Sequence, residues 1–126
     1  NSDLNHACWT FDRMLIGEYD VNVRPVYLEF EKPNGCMLFF TRKCLDIAGG
    51  WDLDFNGYGF EHCSLSDRIF NLGLTPARYI DVFEGKTMFE LANCESSFSQ
   101  QDRLQIPNNL HLYQQKYYSK EFKPFK

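Results

Sequence analysis

An α/β fold follows from three features of the 126-residue sequence. Residues 36–40 (CMLFF) and 77–83 (ARYIDVF) read as strands, the first a short apolar run and the second alternating. Two other stretches carry apolar residues at helical spacing between residues that start and stop helices. Gly- and Pro-containing turns separate these segments.

Residues 1–30 mix polar and aromatic side chains without a clean period. Val21, Val23, Val26 and Leu28 suggest extended structure broken at Pro25. Pro33, Asn34 and Gly35 form a turn, after which CMLFF is bounded as a buried strand would be. Thr41 is placed to cap a helix through Leu45, Ile47 and Ala48, and Gly49-Gly50 stops it. Beyond a loop, Leu65, Ile69 and Leu72 recur at helical spacing, and Gly73 ends that helix. Residues 77–83 alternate as a strand, 87–91 read as a second one, and 96–101 as a polar loop. Pro107 suits the first position of a helix with Leu110, Tyr113 and Tyr117 on one side. Residues 119–126 (SKEFKPFK) are expected to fray as a flexible tail. The sequence leaves strand pairing open.

A chain of this length makes one domain, residues 1–126, and its 44% hydrophobic content with twelve Phe supports a packed core. The net charge of -4 offers no footprint for a phosphate backbone, so nucleic acid is not an expected partner. No apolar run approaches the roughly 20 residues that span a bilayer, so no transmembrane segment is expected. The opening NSDLNHACWTF lacks the basic start and apolar middle of a signal peptide. Cys8, Cys36, Cys44, Cys63 and Cys94 are odd in number and show no CxxC spacing. They read as buried thiols of a reducing compartment, and hence of a cytoplasmic protein.

The stretch 49–69 (GGWDLDFNGYGFEHCSLSDRI) concentrates residue types that bind and react. Its glycines let backbone approach a ligand closely, and Trp51, Tyr58 and Phe60 offer faces to a sugar ring or to the core. Asp52-Leu53-Asp54 is a DxD sequence, but it follows a helix stop rather than an apolar strand. It therefore reads as a pocket or turn-capping element, and no metal site is assigned in this chain. Glu61 and His62 fall on the first turn of a helix, where the dipole favours a carboxylate. They are either a capping acid beside an exposed histidine or a proton acceptor, a role open to a carboxylate or a neutral imidazole. As neighbours on a helix they should point in different directions. Arg68 is expected to pair with an acid inside the fold, His111 to lie on the surface, and His6 carries no signal.

The order strand, Thr-Arg helix, Gly-Gly, Trp-Asp, loop, Gly-aromatic-Glu, helix with Arg resembles the acceptor half of the GT-A glycosyltransferases. Within that fold it is similar to family-2-like enzymes and to the beta-1,4-galactosyltransferase group. Gly49, Gly50, Trp51 and Asp52 match the first part of the phrase G-G-[FW]-D…G-x-E-D-x-[DE]-L-x-x-R, and Gly59, Phe60, Glu61, Leu65 and Arg68 match the second. The match covers about residues 33–80. The resemblance implies a mixed sheet flanked by helices and a hexosyltransferase-like activity, with inversion at the anomeric carbon. A sugar would pass from a nucleotide-sugar donor to a glycan or other hydroxyl acceptor. It implies an acceptor pocket of Asn34, Gly35, Trp51, Asp52, Tyr58, Gly59 and Phe60, with Glu61 and His62 catalytic. It also implies a divalent metal, Mn or Mg, held mostly by ligands outside this chain. Two departures stand out. His62 replaces the family's Asp, with Ser64 at the next acidic position, and no nucleotide-binding half precedes residue 33. The expectation is an acceptor-side fragment of a larger enzyme, inactive by itself. The alternative is a non-catalytic carbohydrate-recognition or protein-interaction module.

Overall fold

The computed structural model describes residues 4–8, 15–19, 27–33, 38–82 and 100–125. These contain five strands, β1 (His6–Cys8), β2 (Leu15–Tyr19), β3 (Tyr27–Phe30), β4 (Leu38–Phe40) and β5 (Ile80–Val82). The helices are α1 (Arg42–Ala48), α2 (Glu61–Asn71), α3 (Gln100–Arg103) and α4 (Ile106–Lys116). The fold is α/β, as the sequence indicates. Instead of one mixed sheet, the described strands form two small antiparallel sheets, β1-β4 and β2-β3-β5. His6 lies opposite Phe40, and Leu28 lies between Glu18 and Asp81.

The sequence start and stop signals of α1 hold. Thr41 is extended, and its hydroxyl accepts the Cys44 N–H at 3.2 Å while donating to Asn5 Oδ1 at 2.9 Å. Gly49, at φ 76°, donates its N–H to the Leu45 carbonyl. Cys44 and Ala48 of α1 pack with Leu65 and Ile69 of α2 and with Leu74, and Phe40 and Leu72 close the edge of this cluster. Gly73 at φ 72° ends α2 and turns Leu74 back into the core. A second cluster joins Ala77 and Ile80 to Leu4.

Several segments differ from expectation. Residues 38–40 are a strand but not a buried one: Phe39 is 56% exposed while Phe40 stacks on His6 at 4.8 Å. The pleat sends successive side chains to opposite faces, and a two-stranded sheet leaves one of those faces open. The strand expected over 77–83 is regular only at Ile80–Val82, and Gln100 and Gln101 belong to α3 rather than a loop. Pro107 is the second residue of α4, where a missing N–H still costs nothing because the first-turn donors have no intrahelical acceptor. Residues 119–125, expected to fray, meet the end of α1. Gly50 N–H donates to the Lys123 carbonyl at 2.7 Å, and Lys123 N–H to the Ala48 carbonyl at 3.4 Å. Val21, Val23, Pro25, Val26, Asn34, Gly35, Cys36, the 87–91 segment and Cys94 lie outside the described residues. Among the described residues no helix is long and apolar enough to cross a membrane.

Candidate functional site

The loop from 49 to 60 is tied down at three points. Arg68 Nη2, from within α2, donates to the Gly50 carbonyl, so its partner is a main-chain oxygen and not the acid expected; its Nε is buried with no partner. Asp52 is only 5% exposed. Its Oδ1 accepts the Asp54 N–H at 3.1 Å, which caps the turn, and its Oδ2 receives Lys116 Nζ at 2.6 Å, with Lys123 Nζ at 3.6 Å. Further along, Asn109 Nδ2 of α4 donates to the carbonyls of Asn56 (2.8 Å) and Tyr58 (3.2 Å).

Lys116 also pairs with Asp54. Burial works against a charged Asp52, yet the Lys116 hydrogen bond, the Asp54 amide and the two lysine charges outweigh it and hold the carboxyl below its ordinary range. Both acids of the DxD sequence are thus neutralised by lysine. A divalent cation does not fit there without displacing Lys116. Among the described residues no group of three or more His, Cys, Asp or Glu side chains is disposed to hold a metal ion.

Gly57, Gly59 and Phe60 all have positive φ (69°, 111° and 70°). A phenylalanine in the left-handed region costs on the order of 1 kcal/mol or more, so the surrounding contacts must enforce it. Phe60 stacks on Tyr113 of α4 (5.3 Å between centroids, 21° between planes), and a side chain on buried Gly59 would touch Ile106 at 3.5 Å. The same sharp turn delivers Glu61 as the first residue of α2.

Glu61 and His62 do not diverge. His62 Nδ1 lies 3.7 Å from Glu61 Oε1, and Glu61 Oε2 is buried without a hydrogen-bond partner. The His62 imidazolium 3.7 Å away lowers the Glu61 pKa, with burial opposing and main-chain N–H groups adding to the lowering. Burial alone would lower the pKa of His62. Interaction with the neighbouring Cys63 and Glu61 outweighs it and raises His62 to about 9. His62 is therefore a largely enclosed imidazolium at neutral pH, not an exposed ring and not a ready proton acceptor.

Of the expected acceptor residues, Trp51 and Tyr58 are 46% and 39% exposed, Asp52 is buried in its lysine pairs, and Gly59 and Phe60 pack against α4. Asn34 and Gly35 fall outside the described residues. Nothing in the sequence marks the partners that α4 supplies. Tyr113 OH donates to Asp67 Oδ2 at 2.7 Å, while Arg78 Nη1 (2.8 Å) and Tyr79 OH (3.0 Å) reach Oδ1 of this fully buried acid. Burial raises the pKa of Asp67 despite these donors. The Arg78 guanidinium lies over the rings of Tyr117 (4.0 Å) and Phe70 (4.6 Å). Tyr113 and Lys116 are one turn apart on α4 and Tyr117 directly follows its end, a spacing visible in sequence, but their partners are about 35 to 65 positions away. Beside this network opens a cleft of about 290 Å³ between the end of β3, the first turn of α2 and α4.

No family model matches the chain, and no curated protein or solved structure matches it.

Proposed function

We propose that this chain is the acceptor-side part of a GT-A glycosyltransferase, moving a sugar from a nucleotide-sugar to a hydroxyl, with Glu61 as the proton acceptor. The observation that carries the reading is the Glu61 carboxylate. Its Oε2 is buried without a partner, at the head of α2 and behind a residue held in the left-handed region. Buried carboxylate oxygens are normally satisfied, and an unpartnered one calls for an explanation, which an acceptor hydroxyl would supply here. As the acceptor oxygen attacks the anomeric carbon, its proton passes to Oε2 and the nucleoside diphosphate departs with the electrons of the broken C–O bond. The lowered pKa keeps Glu61 ionised, so transfer occurs late, once bond formation has acidified the hydroxyl. His62 places a positive charge 3.7 Å from Oε1. The metal, Mn or Mg, belongs in this reading to a nucleotide-binding part and not to Asp52-Leu53-Asp54. Cys8, Cys44 and Cys63 are buried thiols outside any disulfide, which supports a reducing compartment, the cytoplasm.

One feature favours a second reading. The cation at His62 already pairs with Glu61, as in a binding module that has lost its chemistry. Two experiments test the assignment. The 126-residue chain is expected to bind neither UDP-sugars nor GDP-sugars tightly by calorimetry with manganese. Micromolar binding abolished in Asp52→Ala would place the metal at the DxD sequence and overturn this assignment. The full-length product is expected to transfer sugar with manganese and to stop without it; a product inert toward every nucleotide-sugar favours the binding module.

A further inference from the structure

The cleft beside α4 suits one kind of ligand. Its lining includes the rings of Phe30, Phe60, Tyr113 and Tyr117 and the charged Glu29, Glu31 and Lys32. Aromatic walls with a few polar groups at the edge are the usual make-up of a small-molecule site, and about 290 Å³ lies at the small end of such sites. The charges limit what enters. Arg78, which also borders the cleft, is committed to Asp67 at 2.8 Å and sandwiched between Tyr117 and Phe70. Lys32 stands 3.9 Å from Glu31. Among the described lining residues a phosphate or carboxylate ligand would therefore meet two carboxylates, Glu29 and Glu31, against the single lysine Lys32. A neutral ring with apolar faces and hydroxyls on its edge meets what is present. Its C–H faces lie on the aromatic walls, its hydroxyls donate to Glu31, and Lys32 donates back.

We propose that this cleft binds the pyranose ring of a neutral sugar, the acceptor of the transfer proposed above. The assignment to the acceptor rests on that reading; the binding of a sugar does not. Residues 60 and 63, one helical turn apart, both line the cleft, so it abuts the turn that carries Glu61 and His62. Among the described residues the cleft carries Glu29 and Glu31 against Lys32, a balance that disfavours the diphosphate of a nucleotide-sugar.

The experiment uses the full-length product and the methyl β-glycosides of glucose, galactose, N-acetylglucosamine and N-acetylgalactosamine. Saturation-transfer NMR reports binding, and initial rates with donor report kcat and the KM of each substrate. Glu31→Ala, a surface change, and Phe30→Ala, at the wall, are compared with Glu61→Gln, with thermal melts confirming the fold. At least one glycoside is expected to bind the parent and Glu61→Gln alike. Glu31→Ala and Phe30→Ala are expected to weaken it tenfold or more, raising acceptor KM with kcat and donor KM within about twofold. Binding without transfer in any variant retains the sugar site and removes the glycosyltransferase reading. Loss of kcat in Glu61→Gln, with acceptor KM untouched by both cleft substitutions, keeps the enzyme and overturns the cleft. Absence of saturation transfer from every glycoside, or binding only of a cationic amino sugar, also overturns it.

Discussion

His6 shows how much a single side chain can depend on distant partners. It is 1% exposed, with Nδ1 2.8 Å from the Phe39 carbonyl and Nε2 2.8 Å from the Ser66 hydroxyl. A carbonyl only accepts, so Nδ1 carries the proton and Nε2 accepts from Ser66. Burial lowers the pKa to about 4 against the Phe39 hydrogen bond. The unfolded chain thus takes up a proton near pH 6.5, and the folded chain only near 4. Stability from this group is whole above 6.5 and lost as pH falls toward 4, by about 3 kcal/mol in all. Urea unfolding at pH 7.5, 5.5 and 4.5 should show the parent losing stability faster than His6→Gln; parallel losses would mean that His6 is not the titrating group. His62 has the opposite sign. Its raised pKa stabilises below 6.5 and loses that contribution as pH climbs through about 9, a loss that His62→Gln should remove. The sequence marked Glu61 and His62 by motif and position, but not their mutual contact. It gave no sign at His6, because Phe39 and Ser66 lie 33 and 60 positions away.

Helix ends were the most legible elements, because Thr41, Gly49 and Gly73 act through main chain only a few residues distant. Strand pairing was not, since runs of three to five residues carry no register of their own. Two glycines with similar φ make the difference between local and tertiary demands measurable. A Cβ on Gly73 would meet nothing within 4 Å, whereas one on Gly49 would sit 1.9 Å from the Lys123 carbonyl oxygen. Gly73→Ala should cost about 1 kcal/mol for its left-handed backbone, and Gly49→Ala at least about 2 kcal/mol because residues 119–125 must also shift. Equal thermal midpoints for the two variants would refute the docking of that segment. The clasp between α4 and the 49–60 loop is tested in the same way. Lys116→Ala strips the closest partner from buried Asp52 and should cost about 1–3 kcal/mol in urea unfolding, while Asp54→Asn, at an exposed acid, should stay within about 0.5 kcal/mol. Because the Asp52 pKa is lowered, its contribution holds above the ordinary 3.8 and disappears as pH falls below that. Equal costs at Lys116 and Asp54 would show that Asp52 is not the residue held.

At the scale of the whole molecule, residues 49–69 form one connected unit in which a constrained loop feeds the first turn of α2. The sequence made that unit visible because its Gly, aromatic and acidic residues are contiguous. The contribution of α4 was not visible, since Asn109, Tyr113 and Lys116 reach the unit only after the chain has folded. The proposed role of Glu61 as the proton acceptor in glycosyl transfer is decided by turnover in the full-length product. Glu61→Gln should lower kcat by roughly a hundredfold to ten-thousandfold with the fold intact, the range for losing a general base. His62→Ala should cost less, and parent activity should persist below pH 6.5, where a neutral imidazole base would already be protonated. Glu61→Gln turning over within a few-fold of the parent, or activity that appears only as pH rises toward 9, would contradict it.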